Sequence, residues 1–466
     1  MRLMKLVTAG ALAAVAAQII PVPVRAQQKQ APPEGGTPKN FTLPAKRNFA
    51  LPNGLQVTLI PYGETPKATI ELMVRAGNVN EAQGQTWLAD LTGDLMREGT
   101  TSRTAAQIAE ETARMGGGLT IAVQSDQTDI FGDVLGENAP AFVRLLADVV
   151  QNPRFPESEL SRLKANRVRQ LSIAKSQPQQ MGLEKFRQVL YGNHPYGRIF
   201  PTEQQLQGYT VDQVKQFYEQ NFGAARSHLY VAGKFDGAAV EQAIRQAFSS
   251  WKRGTPQSAP LATAKSDRAV YVIDRPAAVQ STIYMGLPVV DPSNKDYQAM
   301  RVTDAILGGS FGSRITSNIR ENKGYTYSPN SQVSARPKSA YWVEVADVTT
   351  NVTGASLKEI FFEVDKLRKE PPSADELKGI QNYLAGIFVL QNSTRQGIIN
   401  QLEFTEIHGL GEEYLNSVVS NVMAVTPADV QRVMQSYLDP AKMTIVVVGD
   451  EKQIAEQVAP YGKVLQ

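Results

Sequence analysis

The sequence of 466 residues contains no cysteine and only three histidines, and both features limit its chemistry. Without cysteine the chain has no disulfide, no thiolate metal ligand and no thiol nucleophile. His194, His228 and His408 lie in three separate predicted elements, so none is interpreted as a zinc ligand. We interpret His194 as part of a turn and His228 as an ordinary strand residue. We predict that His408 ends a helix, where a protonated imidazole would interact favourably with the helix dipole.

The sequence also lacks a long apolar run and a large excess of charge. Its longest apolar run, residues 6–17, has about 12 residues, whereas a membrane-spanning helix needs roughly 18. Basic residues precede this run and Val24-Arg25-Ala26 follows it, a pattern typical of a secretory signal peptide over residues 1–26. The chain has 48 basic and 45 acidic residues, and cleavage of the signal would remove three basic ones. This balance argues against nucleic acid or a membrane surface as partner, and we expect an exported protein of the periplasm or cell envelope without a transmembrane segment.

An internal repeat indicates two similar halves. Residues 210–234 align without a gap with residues 426–450, and in each a helical pattern precedes a strand pattern. The strand patterns are Leu229–Gly233 and Ile445–Gly449. Because type, length and order all match, the repeat favours duplication of one unit.

Composition sets the predicted domain boundaries. Residues 27–46 are rich in Pro, Gln, Gly and Lys and predict a flexible linker after the signal peptide. Residues 253–267, with Gly, Pro and Ser, predict the linker between the halves. Residues 47–252 and 268–466 are therefore the predicted N-terminal and C-terminal halves.

Within each half, strand patterns come before long helical patterns. This order predicts an α+β architecture in which each half has a mixed or antiparallel sheet with helices packed on one face. The predicted strands cover 57–60, 68–75, 128–135, 269–273, 281–287 and 341–348, and the predicted helices cover 139–151, 157–176, 355–369 and 374–390.

The stretch from Gly84 to Thr100 predicts an amphipathic helix that carries Asp90 and Asp94 one turn apart on one face. Carboxylates at this spacing suit a hard cation such as Mg²⁺ or Ca²⁺. Two acids alone make a poor site, so we favour a solvated or ion-paired helix face.

Short motifs surround this helix and continue into the second half. They are Leu51-Pro52-Asn53-Gly54-Leu55, Ala76-Gly77, Gly99-Thr100, His194-Pro195-Tyr196-Gly197, Gln280-Ser281, Asp296-Tyr297, Ile306-Leu307-Gly308-Gly309 and Ser313-Arg314. Their order and spacing resemble the pitrilysin, insulinase and mitochondrial-processing-peptidase family of zinc metallopeptidases. In that family the helix carries the zinc motif His-x-x-Glu-His, and the same five positions here read Asp90-Leu91-Thr92-Gly93-Asp94.

The resemblance implies that this chain has lost its zinc site. Asp90 and Asp94 stand at the histidine positions, and Gly93 stands at the position of the catalytic glutamate. The third zinc ligand of the family is a glutamate further along the chain, and Gln170 is the residue predicted to replace it. We expect this chain to bind no metal and no other cofactor.

Arg320 and Tyr327 match a second family feature, an arginine and a tyrosine seven residues apart that contact substrate. By resemblance, their guanidinium and hydroxyl groups would donate to a peptide carbonyl held at the zinc of an opposite half. Local pattern alone predicts a helix ending near Lys323, a turn at Gly324 and then a strand that contains Tyr327. The glycines of Leu307–Gly312 do not form a phosphate loop, since no Lys-Ser or Lys-Thr follows, and the resemblance assigns them to a flexible segment near the substrate cavity.

Loss of the zinc motif with retention of Arg320 and Tyr327 is expected of the non-catalytic subunit of a heterodimeric zinc metallopeptidase. The predicted partner is a zinc-bearing paralogue, and the predicted substrate is a peptide or unfolded protein bound to that partner as an added strand. The main alternative is a peptide-binding or scaffolding module of the envelope without a protease role. An autonomous peptidase with rewired ligands has the least support.

Overall fold

The computed structural model describes residue 36 and residues 38–465, so the predicted signal peptide lies outside the described residues. The described strands are β1 (Arg47–Ala50), β2 (Gln56–Pro61), β3 (Lys67–Val74), β4 (Thr120–Val123), β5 (Thr128–Leu135), β6 (Ser227–Gly233), β7 (Ala269–Asp274), β8 (Gln280–Val289), β9 (Asn330–Arg336), β10 (Ser339–Thr349), β11 (Thr444–Gly449) and β12 (Lys463–Leu465).

The helices connect and cover these strands. The α-helices are α1 (Leu88–Met96), α2 (Ala105–Arg114), α3 (Ala139–Gln151), α4 (Glu157–Ser176), α5 (Pro178–Tyr191), α6 (Glu203–Gly208), α7 (Val211–Asn221), α8 (Gly237–Phe248), α9 (Tyr297–Asp304), α10 (Thr353–Lys369), α11 (Ala374–Gln391), α12 (Arg395–His408), α13 (Glu413–Ala424), α14 (Pro427–Tyr437) and α15 (Glu451–Val458). Two π-helical segments follow α9, at Ala305–Gly309 and Thr316–Asn322. Among the described helices, none has the length and apolar character needed to cross a bilayer.

The strands form two six-stranded mixed sheets in which five strands share one topology. The edge strands differ, since β1 runs antiparallel to β2 whereas β12 runs parallel to β7. The strand orders of the two sheets are β1-β2-β6-β3-β5-β4 and β12-β7-β11-β8-β10-β9. In the first sheet β6 runs parallel to β2 and antiparallel to β3. In the second, β11 runs parallel to β7 and antiparallel to β8. This confirms the predicted α+β fold of two similar halves.

The repeated sequence segments occupy equivalent places in the two halves. Helix α7 precedes β6 and helix α14 precedes β11. Both helices begin with a threonine whose side chain accepts a hydrogen bond from a backbone N–H in the first turn, Thr210 from Gln213 and Thr426 from Asp429. Such a cap satisfies one of the N–H groups that a helix start leaves unpaired.

The six strands and four helices predicted from the order of patterns within each half are all present, with ends that differ by two residues or fewer. The helix predicted over 84–100 is shorter, at Leu88–Met96. The helix predicted over 157–176 ends where α4 ends, but α5 was not predicted. Gln177 is extended because the residue before a proline avoids the helical conformation, and Pro178 then starts a new helix at the position where proline is best tolerated. As a result, α5 leaves the layer of α4 and crosses to the other half.

The reverse face of each sheet is covered by a helix from the other half. Helix α5 packs on β8 and β11 of the second sheet, and α12 packs on β3 and β6 of the first. The α5 contact is apolar: Phe186 is fully buried and meets Tyr284 and Tyr341, with ring centroids 6.0 and 5.5 Å apart. Gly182 allows this approach, since a Cβ there would lie 2.7 Å from the Tyr284 ring.

The α12 contact is polar by comparison. Arg395 at its start pairs with Asp133 of β5 at 2.9 Å, and Gln396 donates to Glu71 of β3. Near its end Glu406 accepts hydrogen bonds from the first sheet. The α5 crossing also has a polar contact, since Gln179 donates to Asp347 of β10 at 2.8 Å, but the α12 crossing has more of them.

Parts of both predicted linkers contact folded residues. Phe41 meets Phe388 edge to face at 5.4 Å, and the backbone N–H of Leu43 donates to Asn416 at 2.9 Å. The C-terminal part of segment 27–46 thus lies against the second half before the chain enters β1. In segment 253–267, Ala262 is buried and the N–H of Lys265 donates to a backbone carbonyl of α5. Burial of these apolar groups holds both segments against the protein.

Truncation of Phe186 tests the apolar crossing. We expect F186A to lower the free energy of unfolding by about 3–5 kcal/mol, because it leaves a cavity between α5 and the second sheet. Denaturant titration followed by circular dichroism measures this change. The matched control is F362A, which removes a ring that is 52% exposed and should cost about 0.5 kcal/mol. Equal effects of the two variants would contradict the proposed role of the crossing.

Candidate functional site

The degenerate zinc motif is held together by an arginine. Asp90 and Asp94 lie one turn apart on α1, and both face Arg167 of α4. The Arg167 guanidinium donates from Nε to Asp94 at 2.6 Å and from Nη1 to Asp90 at 3.2 Å. Nη1 also donates to the side-chain oxygen of Gln170 at 3.2 Å. The structure therefore brings Asp90, Asp94 and Gln170 together, with a guanidinium as their common partner.

Gly93 faces away from this arginine and against the first sheet. A Cβ at this position would lie 2.8 Å from a methyl group of Val123 in β4. Real Cβ contacts are essentially never that short, so a larger residue here would displace the Val123 side chain. The missing side chain lets α1 pack closely on β4, and it leaves no proton acceptor at the position of the family's glutamate.

A buried glutamate lies next to Asp90, beside α1. Glu81 is 5% exposed and accepts hydrogen bonds from the N–H of Ala89 at 3.0 Å and from Asn78 at 3.1 Å. Burial and the neighbouring Asp90 raise the pKa of Glu81 to about 8. Burial also raises the pKa of Asp90, against the opposing effect of Arg167. Because this region has low polarity, the pairing of Arg167 with Asp90 and Asp94 is important for keeping these carboxylates charged.

These residues do not fit a zinc ion. Zinc in proteins prefers imidazole and thiolate ligands in a tetrahedral arrangement with an open position for water in catalytic sites. Here two carboxylates and one amide oxygen already accept from one guanidinium, and a metal would have to displace it. Asp90 and Asp94 were expected to form either a cation site or an ion-paired helix face, and the geometry matches ion pairing. The motif therefore supports no catalytic step.

His194 lies in a turn, as predicted, and its Nδ1 accepts from the N–H of Tyr196 at 3.2 Å. His228 lies in β6, as predicted, and it also makes a specific contact between the halves that the sequence did not indicate. Its Nε2 is 2.8 Å from the hydroxyl of Thr58, and its Nδ1 is 2.6 Å from Glu406 of α12. Burial acts to raise the pKa of Glu406, but hydrogen bonds with His228 and Tyr230 hold that pKa below its usual value.

His408 does end a helix, as predicted, but not as a charged group. It is the last residue of α12, and Gly409 follows in the left-handed conformation. The side chain is 7% exposed, and its Nδ1 has no hydrogen-bond partner among the described residues. Burial lowers the pKa of His408 to about 4, so it is neutral near pH 7. The dipole interaction proposed from sequence is therefore wrong, because desolvation outweighs it.

Arg320 lies in a π-helical segment, and Tyr327 lies in the loop that follows. Helical structure ends at Asn322, and Gly324 adopts the left-handed conformation at φ +65°, as the predicted turn requires. The predicted strand at Tyr327 is wrong: Thr326 forms one isolated bridge with Val348, and β9 begins only at residue 330. Pro329 explains the delay, since proline has no N–H to donate to a strand partner.

The arginine is held between two aromatic rings. The Arg320 guanidinium lies 4.4 Å from the ring centre of Phe311 and 5.4 Å from that of Tyr327. Phe311 is 75% exposed and Tyr327 is 82% exposed. The Nε atom of Arg320 is also 3.2 Å from Glu321. We define these three residues, Phe311, Arg320 and Tyr327, as the aromatic clamp; its rings stabilise the cation and keep it at the surface.

The glycine segment before the clamp is buried at its start and exposed at its end. Leu307 and Gly308 are buried in the first π-helical segment, whereas Phe311 and Gly312 are exposed. A Cβ on Gly308 would lie 2.5 Å from Glu344 and 2.6 Å from Ser331, so glycine permits close contact with the second sheet. The flexibility implied by the resemblance stays a prediction for this segment.

Two important residues were missed from sequence. Arg167 could have been suspected, because residues 160–183 contain no acid but several basic residues, and α4 was already assigned to the third-ligand position. Phe311 had a weaker signal, an aromatic residue between Gly309 and Gly312. Its stacking on Arg320 depends on the turn between the two π-helical segments.

Comparison with known proteins shows similarity along most of the chain. The family model described as "Insulinase (Peptidase family M16)" matches residues 57–201, and the one described as "Peptidase M16 inactive domain" matches residues 208–384. An uncharacterized zinc protease of Rickettsia felis is 26% identical over 70% of this chain and 79% of its own length. Another, from Streptomyces coelicolor, is 22% identical over 87% of this chain and 90% of its own.

The fold is also similar to a solved structure. A peptidase M16 inactive domain from Pseudomonas fluorescens superimposes with a TM-score of 0.80 at 22% identity, covering 87% of this chain and 98% of that one. This likeness supports the arrangement of two sheets and their helices.

Removal of the Arg167 guanidinium should destabilise the protein. We expect R167M to lower the free energy of unfolding by up to about 3 kcal/mol, the low end for a broken buried pair, since it leaves Asp90 and Asp94 without a cation. These side chains are 16–19% exposed, which keeps the effect below that of a fully buried pair. The triple variant R167M/D90N/D94N should recover most of the loss. R162M on the same helix, where the arginine is 52% exposed, is the control; an equal loss there would refute this role for Arg167.

The raised pKa of Glu81 predicts a pH dependence of stability. The folded state holds this proton more tightly than the unfolded state, so the stabilisation is complete below about pH 4.5 and is lost as the pH rises to about 8. The measurement is the free energy of unfolding of wild type relative to E81Q between pH 5 and 8.5. We expect the difference to shift against the wild type as the pH rises. E110Q, at an exposed glutamate, should give a flat difference; a flat profile for E81Q as well would contradict the assignment.

Proposed function

Because the chain belongs to the insulinase-type peptidase family M16, we propose that it is the non-catalytic subunit of a heterodimeric zinc metallopeptidase. In this role it pairs with a zinc-bearing paralogue and presents Arg320 and Tyr327 to the bound peptide. The substrate is a peptide or unfolded protein that adds as a strand to the partner.

The observation that carries this proposal is the aromatic clamp. Arg320 is paired with Glu321 through Nε at 3.2 Å, and no hydrogen bond from its two Nη atoms is found among the described residues. A cation fixed in orientation with free N–H groups is suited to bind a carbonyl oxygen of a peptide. An arginine serving only the helix dipole would not need an exposed ring on each side.

The chemistry of the clamp suits hydrolysis of an amide. Negative charge develops on the carbonyl oxygen when water adds to a peptide bond, and donors already in position stabilise that charge. Arg320 provides N–H donors, and the hydroxyl of Tyr327, on a side chain that is 82% exposed, provides an O–H donor. Phe311 and Tyr327 limit the motion of the guanidinium, so less orientational freedom is lost on binding.

The arginine at the degenerate motif supports a non-catalytic role for this chain by itself. Arg167 neutralises Asp90 and Asp94, and position 93 offers no base. Hydrolysis would then require a second polypeptide that provides zinc, its ligands and a glutamate base. The relatives in Rickettsia felis and Streptomyces coelicolor are themselves named zinc proteases.

We propose that the complex works in the periplasm or cell envelope. The support for export is the N-terminal pattern of two basic residues, an apolar run at residues 6–17 and a Val24-Arg25-Ala26 cleavage site. The lack of cysteine is compatible with an oxidising compartment.

Native mass spectrometry with metal analysis tests the pairing. The full chain, tagged and purified gently from its own host, should appear in a complex near twice its mass, with one zinc carried by the second polypeptide. A metal-free monomer or homodimer would overturn the proposal and favour the peptide-binding or scaffolding alternative.

Variants of the clamp test its function in the isolated pair. We expect R320M and Y327F each to lower kcat for peptide hydrolysis by about 10²-fold to 10³-fold, because each removes one donor to the developing negative charge. The mass of the complex should stay unchanged. R114M and Y383F, at exposed positions on α2 and α11, are the matched controls and should keep full turnover. Unchanged kcat in both clamp variants would remove Arg320 and Tyr327 from the mechanism.

A further inference from the structure

We infer that a buried site between the two halves binds a calcium ion through Glu71, Asp129 and Glu403. One carboxylate oxygen from each residue lies within 4.8 Å of the other two. The three residues are 2%, 2% and 5% exposed. The site lies outside the degenerate zinc motif and the aromatic clamp, so it does not depend on the proposed function.

The three carboxylates come from two separate parts of the fold. Glu71 is on β3 and Asp129 is on the adjacent strand β5, where Glu71 pairs with Phe131. Asp129 is two residues from Phe131, so Glu71 and Asp129 are diagonal neighbours on one face of the first sheet. Glu403 approaches that face from α12 of the second half. An ion at this point would connect the polar crossing helix to the first sheet.

Amide side chains add oxygen atoms to the site. Gln124 and Gln127 donate to Asp129 at 2.7 and 2.8 Å, and Gln396 donates to Glu71. A half-turn of a side-chain amide exchanges its NH₂ group and its oxygen, so the same residues can present oxygen to a cation. The groups line a cavity of about 520 Å³, which has room for ordered water.

When the carboxylates of this cluster are ionised, their negative charge has no local counterpart. The Oε1 atom of Glu403 is buried and has no hydrogen-bond partner among the described residues. The described residues that line the cavity include no lysine, arginine or histidine. One turn further along α12, Glu406 is already engaged by His228 and Tyr230. Buried charge that is not paired is costly, and a divalent cation would remove that cost.

The arrangement of oxygens favours calcium over zinc or magnesium. Calcium binds six to eight oxygen ligands at roughly 2.3–2.6 Å, so oxygens on opposite sides of the ion lie up to about 5 Å apart. The three carboxylate oxygens lie within 4.8 Å of one another, which satisfies that limit. Magnesium needs a tighter octahedron at about 2.1 Å, and zinc prefers nitrogen and sulfur ligands.

The raised pKa values of the three carboxyl groups imply that protons and a cation compete for the same oxygen atoms. Burial raises the pKa of Glu71 to about 7 and that of Asp129 to about 6, and it raises the pKa of Glu403 as well. Without a cation these groups therefore tend to hold protons near neutral pH. Calcium must displace those protons, so its affinity should increase with pH.

Isothermal titration calorimetry and thermal unfolding test the site on the full chain after treatment with a chelator. At pH 8 we expect saturable binding of one calcium ion per chain and a rise in Tm, with weaker binding at pH 6. E403Q and D129N should each lower the affinity at least tenfold while preserving side-chain shape. E110Q, at an exposed acidic residue, is the control and should bind as the wild type does.

Two results would overturn the inference. One is the absence of binding heat and of a Tm shift in the wild type at millimolar calcium and pH 8. This result would mean that the three carboxyl groups bind protons but no calcium. The other is unchanged calcium binding in a folded E403Q. If neither substituted chain folds, the pH dependence of wild-type binding decides, since affinity that is equal at pH 6 and pH 8 would exclude these carboxylates as ligands.

Discussion

Each sheet of this protein carries apolar side chains on both faces, and only one face is covered by helices of its own half. On the first sheet the other face also carries the buried polar residues Glu71 and Asp129. The other face must be buried as well, since exposed apolar strands would be unstable in water and prone to pair with other chains. Helices α5 and α12 solve this by crossing between the halves, each onto the sheet of the other. Neither half buries its sheet alone, so the two similar units form one folded body.

The two crossings differ in chemistry. Helix α5 buries Phe186 against tyrosines, an interaction that depends on area and close packing. Helix α12 instead contributes Arg395, Gln396, Glu403 and Glu406 to the first sheet. Polar contacts are directional and depend on pH and ions, whereas apolar contacts are not.

The two halves each contain an arginine at a position that matches a site of the peptidase family, and the two arginines differ in their contacts. At the degenerate motif, a guanidinium from α4 stands between acids from α1, and the electrostatic balance that a metal would provide comes from a side chain. In the second half, the guanidinium of Arg320 is held at the surface by two rings and has free N–H groups. Arg167 is fully engaged in structural ion pairs, whereas Arg320 is available to bind a ligand. This contrast is the physical basis of the proposal that the chain binds substrate without hydrolysing it alone.

The sequence by itself determined the order and limits of the main strands and helices, the duplication of the two halves and the loss of the zinc motif. These features depend on local periodicity, on helix caps such as Thr210 and Thr426, and on the identity of single residues such as Gly93. Tertiary structure alone decided which distant groups meet: Arg167 with Asp90, His228 with Glu406, and Glu71 with Glu403. It also decided the charge of His408, because burial, which no local pattern records, outweighs the helix dipole. Contacts between residues far apart in the chain depend on how α4 and α12 pack, and packing is a property of the whole fold.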